Sequence, residues 1–426
     1  MLGHFFAPVP APNSAAAVAP LSFGRCLGGA LLWCGLLVGL ALGVGALFPA
    51  AGPLTQSAFS NWDAEHYLHI RLHGYDVMRT GFFPLFPFLW RWLSLTPVGM
   101  GLLNLVLFAV GFAVLAWEFG WRWRQQALLL ATPSLMFMAL PYSEAVFFAS
   151  GVLVLVGLRR HQPWLYCLGL LLSCVSRSAA FVLLPAVLAT AVLARDRHLR
   201  LGPVLAASAA TLAGLGVSVA VHWAYTGRWL VFFAAHRIYW NNRLRWPALP
   251  LSNWGGSFPT RFEAPVLLIG VLCAAGLAWL TWRHWRRPLP AATGPAVFSL
   301  AYVAGVTLVT LATRGGALPS LNRYVYATPF FLLLLADFLC RVRLSNRQLV
   351  LAFGLMEAAW VGLFAASGHI RTFLGFTVVS TCVLLLLANA HSHPRVRRWA
   401  LLPTLLGGTV LTLVLLFRFL RHEWVA

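Results

Sequence analysis

NWDAEHYLHIRLHGYD, residues 61–76, packs Asp63, Glu65, His66, His69, Arg71, His73 and Asp76 into one short segment. The chain is apolar on either side of it, at 27–50 and at 98–118. About 20 apolar residues cross a bilayer as a helix, whereas charged side chains inside the hydrocarbon are costly. The stretch therefore reads as a loop outside a membrane, between two spans, and that reading fixes the class of the whole chain.

Composition agrees. Of 426 residues, 60% are apolar and 10% charged, against roughly 25% charged in an average soluble domain. Ten acidic residues face thirty-one basic ones, all of them Arg, for a net charge of +21. Such an excess suggests nucleic acid only when it lies on one soluble face, and here the arginines are dispersed between apolar runs. Further runs lie at 127–140, 143–158, 164–176, 179–194, 201–224, 264–281, 294–313, 324–339, 349–367, 372–390 and 400–417. The expected fold is an all-α polytopic integral membrane protein with about 11–13 transmembrane helices. The short runs 127–140 and 164–176 read as helices that stop at the rim of a cavity, where protein covers their polar backbone ends.

Arginines recur in alternate connections: Arg122 and Arg124; Arg159 and Arg160; Arg195, Arg197 and Arg200; Arg283, Arg286 and Arg287; Arg341, Arg343 and Arg347; Arg395, Arg397 and Arg398. The positive-inside rule puts those loops in the cytoplasm. Residues 1–26 become a cytoplasmic tail and 27–426 one domain in the cell membrane. The segments 51–97, 141–144, 176–178, 225–263 and 314–323 fall on the outer side. The first apolar run is too long for a signal-peptide core and reads as an uncleaved helix. Seven cysteines lie in or beside spans without metal-site spacing or a disulfide framework.

The outer segments carry the chemistry. On a helix, Asp63 and Glu65 point to different sides, so one can face a cavity while the other finds a structural partner. Asp63 reads either as a functional acid or as a structural one pairing with Arg71. His66, His69 and His73 fall on one helical stripe, which is open to a zinc reading or to that of an interfacial helix. TGFFPLFPFLWRW, residues 80–92, looks like a segment lying along the interface. Residues 227–254 interleave Arg with Trp, Tyr and Phe. This loop either anchors in the headgroups or closes over a sugar as a lid containing His236 and Trp240. Glu357, inside an apolar run, reads as a buried hydrogen-bond partner.

Trp62-Asp63-x-x-His66-Tyr67, followed by Gly74-Tyr75 and Phe82-Phe83-Pro84-Leu85-Phe86-Pro87, resembles the first outer loop of the PIG-V-like mannosyltransferase family. Pro141-Tyr142-Ser143-Glu144, Ser176-Arg177-Ser178, the region from His236 to Trp240, and Asn322-Arg323-Tyr324 follow in the family's order. The chain departs from the pattern at Ala179, where many members have Asn.

The resemblance implies a GT-C-type glycosyltransferase that takes a sugar, mannose first among the candidates, from a polyprenyl-phosphate carrier on the outer membrane face. The carrier is a co-substrate; no other cofactor and no metal is expected. Asp63 is the expected general base, and Arg323 the first candidate for the cation facing the leaving phosphate, with Arg237 and Arg177 behind it. Substrate contacts are expected at Glu65, His66, Tyr67, Glu144, His236, Trp240 and Tyr324. A glycan, glycolipid or protein is the acceptor, with membrane lipids around the protein and no nucleic-acid partner. The competing class is a multi-span transporter, which would place ionisable residues near mid-membrane in paired halves.

Overall fold

A computed structural model describes residues 21–48, 54–194, 201–286, 292–364 and 370–426. The described residues are helical throughout, without named strands. Seventeen α-helices follow one another. They are α1 (Phe23–Leu47), α2 (Asp63–His73), α3 (Leu85–Leu93), α4 (Pro97–Glu118), α5 (Trp123–Leu130), α6 (Glu144–Arg159), α7 (Pro163–Ser176), α8 (Leu183–Leu193) and α9 (Leu201–Thr226). After these come α10 (Val231–Ile238), α11 (Ser257–Arg286), α12 (Gly294–Arg314), α13 (Leu321–Tyr326), α14 (Pro329–Arg341), α15 (Asn346–Phe364), α16 (Ile370–Ala388) and α17 (Pro394–Leu420).

Among the described residues, eight helices are long and apolar enough to span a membrane: α1, α4, α9, α11, α12, α15, α16 and α17. The count rises to nine if the bent pair Pro133–Ala139 and Glu144–Arg159 forms one span. The expectation of 11–13 spans is corrected accordingly. The other expected spans, at 127–140, 143–158, 164–176, 179–194 and 324–339, are short or broken. Pro133 ends α5's path and starts a 3-10 turn that meets α6 at 108°. Pro329 starts α14, with the Thr328 side chain accepting from the Phe331 amide. The 13 residues of α14 rise only about 20 Å, short of a hydrocarbon core of about 30 Å.

Of these short helices α6 and α14 are packed inside the protein, whereas α7 and α8 expose Trp164, Leu168, Leu188 and Val192. Thirteen of the sixteen residues of α6 are buried, whereas only 17% of the α15 window is. Exposed leucines and valines cover α1, α15 and α17, as expected of surfaces that meet lipid. Glycines let the buried helices approach: a Cβ on Gly157 would lie 2.4 Å from the Tyr166 amide, and one on Gly169 2.6 Å from that of Val154.

Helix ends sort into two groups. At one end Arg160 on α6 pairs with Glu118 on α4, Arg124 donates to Asn389 Oδ1 and to the Arg397 carbonyl, and Leu344 bridges His391. The opposite end gathers α2, α3, α10, α13, the start of α6, the end of α7 and the residues after α17. The arginine-rich connections 122–124, 159–160, 341–347 and 395–398 lie at the first end. Arg195, Arg197, Arg200 and Arg287, and most of the tail 1–26, lie outside the described residues.

Candidate functional site

Asp63 is the first residue of α2. Its amide donates to the Tyr142 hydroxyl at 3.2 Å, which ties the loop to the turn before α6. Its Oδ2 accepts from Arg323 Nη2 at 2.6 Å. Arg323 sits on α13, a six-residue helix set between α12 and α14. Its Nε lies 2.8 Å from Glu144 Oε1, and Arg177 Nη1 lies 2.7 Å from the same oxygen. The approaches to Glu144 are those of ion pairs rather than aligned hydrogen bonds. Two acids and two cations thus form a row, Asp63 to Arg323 to Glu144 to Arg177, whose side chains are 1–13% exposed.

Aromatic rings wall this row. The Arg323 guanidinium lies over Phe137, Tyr142 and Tyr324, and that of Arg177 over Phe147 and Tyr324. Cation–π contacts of this kind favour the charged form in a site poor in water. The Tyr67 hydroxyl donates to Ser143 Oγ at 2.8 Å, and burial raises its pKa. Asp63, Tyr67, Glu144, Arg177, Arg323 and Tyr324 therefore belong to one site, drawn from four separate parts of the chain.

Other expected site residues take different positions. Arg71 does not pair with Asp63; it donates to the Leu95 carbonyl at 2.8 Å and lies over Trp90. Glu65 is exposed on α2, away from the ion row. The histidine stripe splits: His66 packs on Phe82 and Trp240, while His69 lies beside His73 and 3.8 Å from Asp76. No group of three or more His, Cys, Asp or Glu poised to hold a metal occurs among the described residues. Burial lowers the His66 pKa, against the pull of Asp63.

Within 227–254, His236 and Trp240 face inward and Arg237 faces out. Trp240 sits on Gly81, where a Cβ would lie 2.7 Å from its Nε1. It also meets Phe82 edge-on at 5.6 Å. His236 Nδ1 lies 2.6 Å from Asn242 Nδ2, and burial, then Arg314, pushes its pKa down to about 4. Beyond Trp240 the backbone pairs with the end of α12, the Arg243 and Arg245 amides donating to the Thr313 and Ala312 carbonyls. Arg237 is exposed on the outer side of α10. The segment TGFFPLFPFLWRW forms α3, with Phe86 and Trp90 buried and Trp92 exposed.

Sequence reasoning missed Glu263, which is fully buried on α11 and accepts from the Asn322 amide at 2.6 Å and from Asn253 at 3.3 Å. Its placement at the edge of the apolar run 264–281 was the available signal. It also missed the segment after α17: His422 stacks on Trp62 at 4.6 Å and Trp424 meets the same ring at 5.0 Å. Glu357 bonds Ser380 and Thr377 across α15 and α16, a half-buried partner as expected.

Fold and site together define a polytopic, membrane-type helical protein with a buried ion row at one end of its bundle. No family model and no curated protein matches the chain.

Proposed function

We propose that the protein is a GT-C-type membrane glycosyltransferase that moves a sugar, mannose first, from a polyprenyl-phosphate-linked donor to an acceptor at the outer membrane face. The observation that carries this reading is the Asp63 carboxylate. Arg323 holds its Oδ2, while no protein donor among the described residues takes Oδ1. An acid clamped on one oxygen and open on the other suits a general base.

In the step proposed, Oδ1 takes the proton of the acceptor hydroxyl as that oxygen bonds to the anomeric carbon. The bond from that carbon to the phosphate oxygen breaks on the opposite side, and its electron pair leaves with the phosphate. Attack from the face opposite the leaving group inverts the centre. Base catalysis of this kind contributes about 10²–10⁴-fold, and alignment of the two bound substrates adds a further large factor. Glu144 and Arg177 act as positioning residues, since they reach Asp63 only through Arg323. Tyr67, His66, Trp240 and Tyr324 would line the sugar. No metal takes part in the step.

Further support comes from an apolar cavity of about 190 Å³ lined by Phe83, Phe181, Leu215, Val219, Phe232 and Phe233, next to α10, which suits an isoprenoid tail. The arginine-rich connections lie at the end opposite Asp63, which by the positive-inside rule favours an outer site and a cytoplasmic amino terminus. Charge gathered at one end also fits transfer at a face better than passage between faces.

The test is reconstitution in phosphatidylcholine vesicles with polyprenyl-phosphate mannose and cell-derived acceptor lipids, in the presence of EDTA. A mannosylated product of inverted configuration is expected. Absence of product with mannosyl, glucosyl and pentosyl donors alike would overturn the reading.

A further inference from the structure

The ion row is electrically balanced. Arg177 and Arg323 are matched by Glu144 and Asp63, so neither guanidinium offers uncompensated charge to a departing phosphate. A phosphate that gains charge as its bond to the sugar breaks needs cations of its own. Arg314, the last residue of α12, and Arg245, on the segment laid against it, have that property.

Arg314 Nη1 donates to the Trp240 carbonyl at 2.8 Å, and its guanidinium lies 4.6 Å from the centre of the Trp254 ring. Arg245 Nη2 donates to the Asn241 and Arg314 carbonyls, both at 3.2 Å. Among the described residues, neither pairs with a carboxylate. Carbonyls at a helix C-terminus supply about half an elementary charge between them, short of two formal cations. The two arginines are held close by the backbone: Gly315 and Gly316 have φ of +61° and +98°, and a Cβ on Gly315 would lie 2.3 Å from Arg245 Nε. At Gly316 a Cβ would lie 2.3 Å from the Ala248 carbonyl oxygen, so glycine fits both the turn and this backbone approach.

This pair adjoins the site. Arg314 acts electrostatically on Tyr324 and His236, and the Tyr324 ring carries Arg177 and Arg323. Trp240, which accepts from Arg314, packs on His66 three residues beyond Asp63. Phe232, on the wall of the apolar cavity, meets the His236 ring in a tilted contact at 4.3 Å. A cation pair thus stands between the cavity and the ion row.

We propose that Arg314 and Arg245 form the phosphate-binding site for the lipid-linked donor, an assignment that rests on the transferase reading above. Arg323 then serves Asp63 and the acceptor side, and the phosphate lies across Tyr324 from it. Arginine suits this task because its planar fork meets phosphate oxygens bidentately.

The test is binding rather than turnover, so that its failure is distinct from failure of the transferase reading. Full-length protein in phosphatidylcholine nanodiscs would be titrated with undecaprenyl phosphate, with undecaprenol as the uncharged control and inorganic phosphate as competitor. Arg245→Gln and Arg314→Gln are each expected to weaken undecaprenyl phosphate at least tenfold without changing undecaprenol, with Arg314→Lys in between. Arg245 is exposed, so its variant reads the site without a folding defect. Unchanged affinity in Arg245→Gln and Arg314→Gln would overturn the site. Inorganic phosphate binding within a few-fold of the lipid would overturn its assignment to a lipid-linked phosphate.

Discussion

Ion pairs occur at both ends of the bundle, and they differ in kind. Arg160 and Glu118 meet where the Glu118 side chain is 8% exposed but that of Arg160 is 41%, so the pair is open to water on its cationic side. The row from Asp63 to Arg177 is 1–13% exposed and walled by aromatic rings. An exposed pair contributes about 0–1 kcal/mol. Charges buried as a set lose several kcal/mol each in desolvation, and apolar side chains of equal volume are often as stable. Stability alone therefore does not account for the row, and the proposed transfer would use its charges.

The contrast can be broken at its centre. Arg323→Leu leaves Asp63 facing no cation and Glu144 with Arg177 alone, and is expected to cost about 3–5 kcal/mol, read as a lower midpoint of thermal unfolding in detergent. Sugar transfer should be lost with it. A cost below about 1 kcal/mol would place the row with the exposed pair.

A smaller effect is expected in the segment 227–254, where Trp240 packs on His66 and Phe82. Gly81→Ala drives a methyl against Trp240 Nε1, 2.7 Å from the ideal Cβ position. Overpacking of this kind costs about 1–3 kcal/mol, visible as faster proteolysis within 227–254. That segment should also respond to pH. Burial holds His236 neutral, with its pKa pushed down to about 4, whereas an opened segment exposes an ordinary histidine of about 6.5. Between those values the open state binds more protons. The closed state is thus fully stable above about pH 6.5 and loses stability as the pH falls toward about 4. Hydrogen exchange across 231–242 should rise over that window, and His236→Gln should remove the dependence.

The least effect belongs to the other end. Glu118→Gln is expected to shift stability by less than about 1 kcal/mol and to leave transfer unchanged. A larger loss, measured by the same thermal unfolding, would erase the distinction between the two ends.

Much of this was legible in the sequence. All eight long helices coincide with apolar runs, because run length reports what can cross a bilayer. The five short or broken runs show the limit: a helix buried by protein is as apolar as one bathed in lipid, so composition does not tell α6 or α14 from a span. Asp63 stood out in the charged stretch 61–76, and Glu144, Arg177 and Arg323 in short motifs beside apolar runs. Their mutual contact did not, since Arg323 and Asp63 are 260 residues apart and no local pattern links them. Arg314 and Glu263 were passed over because a charge at the edge of an apolar run looks like an ordinary boundary. Arg237 and Glu65 lie on the exposed faces of short helices, which spacing could not decide.

The most direct test of the central claim is the rate of sugar transfer by Asp63→Asn against wild type in the same vesicles, with folding checked by thermal unfolding. Asparagine keeps the shape of the side chain and removes the base. The account predicts a fall of about 10²–10⁴-fold in a folded protein that still binds donor. Transfer at the wild-type rate by Asp63→Asn would contradict it.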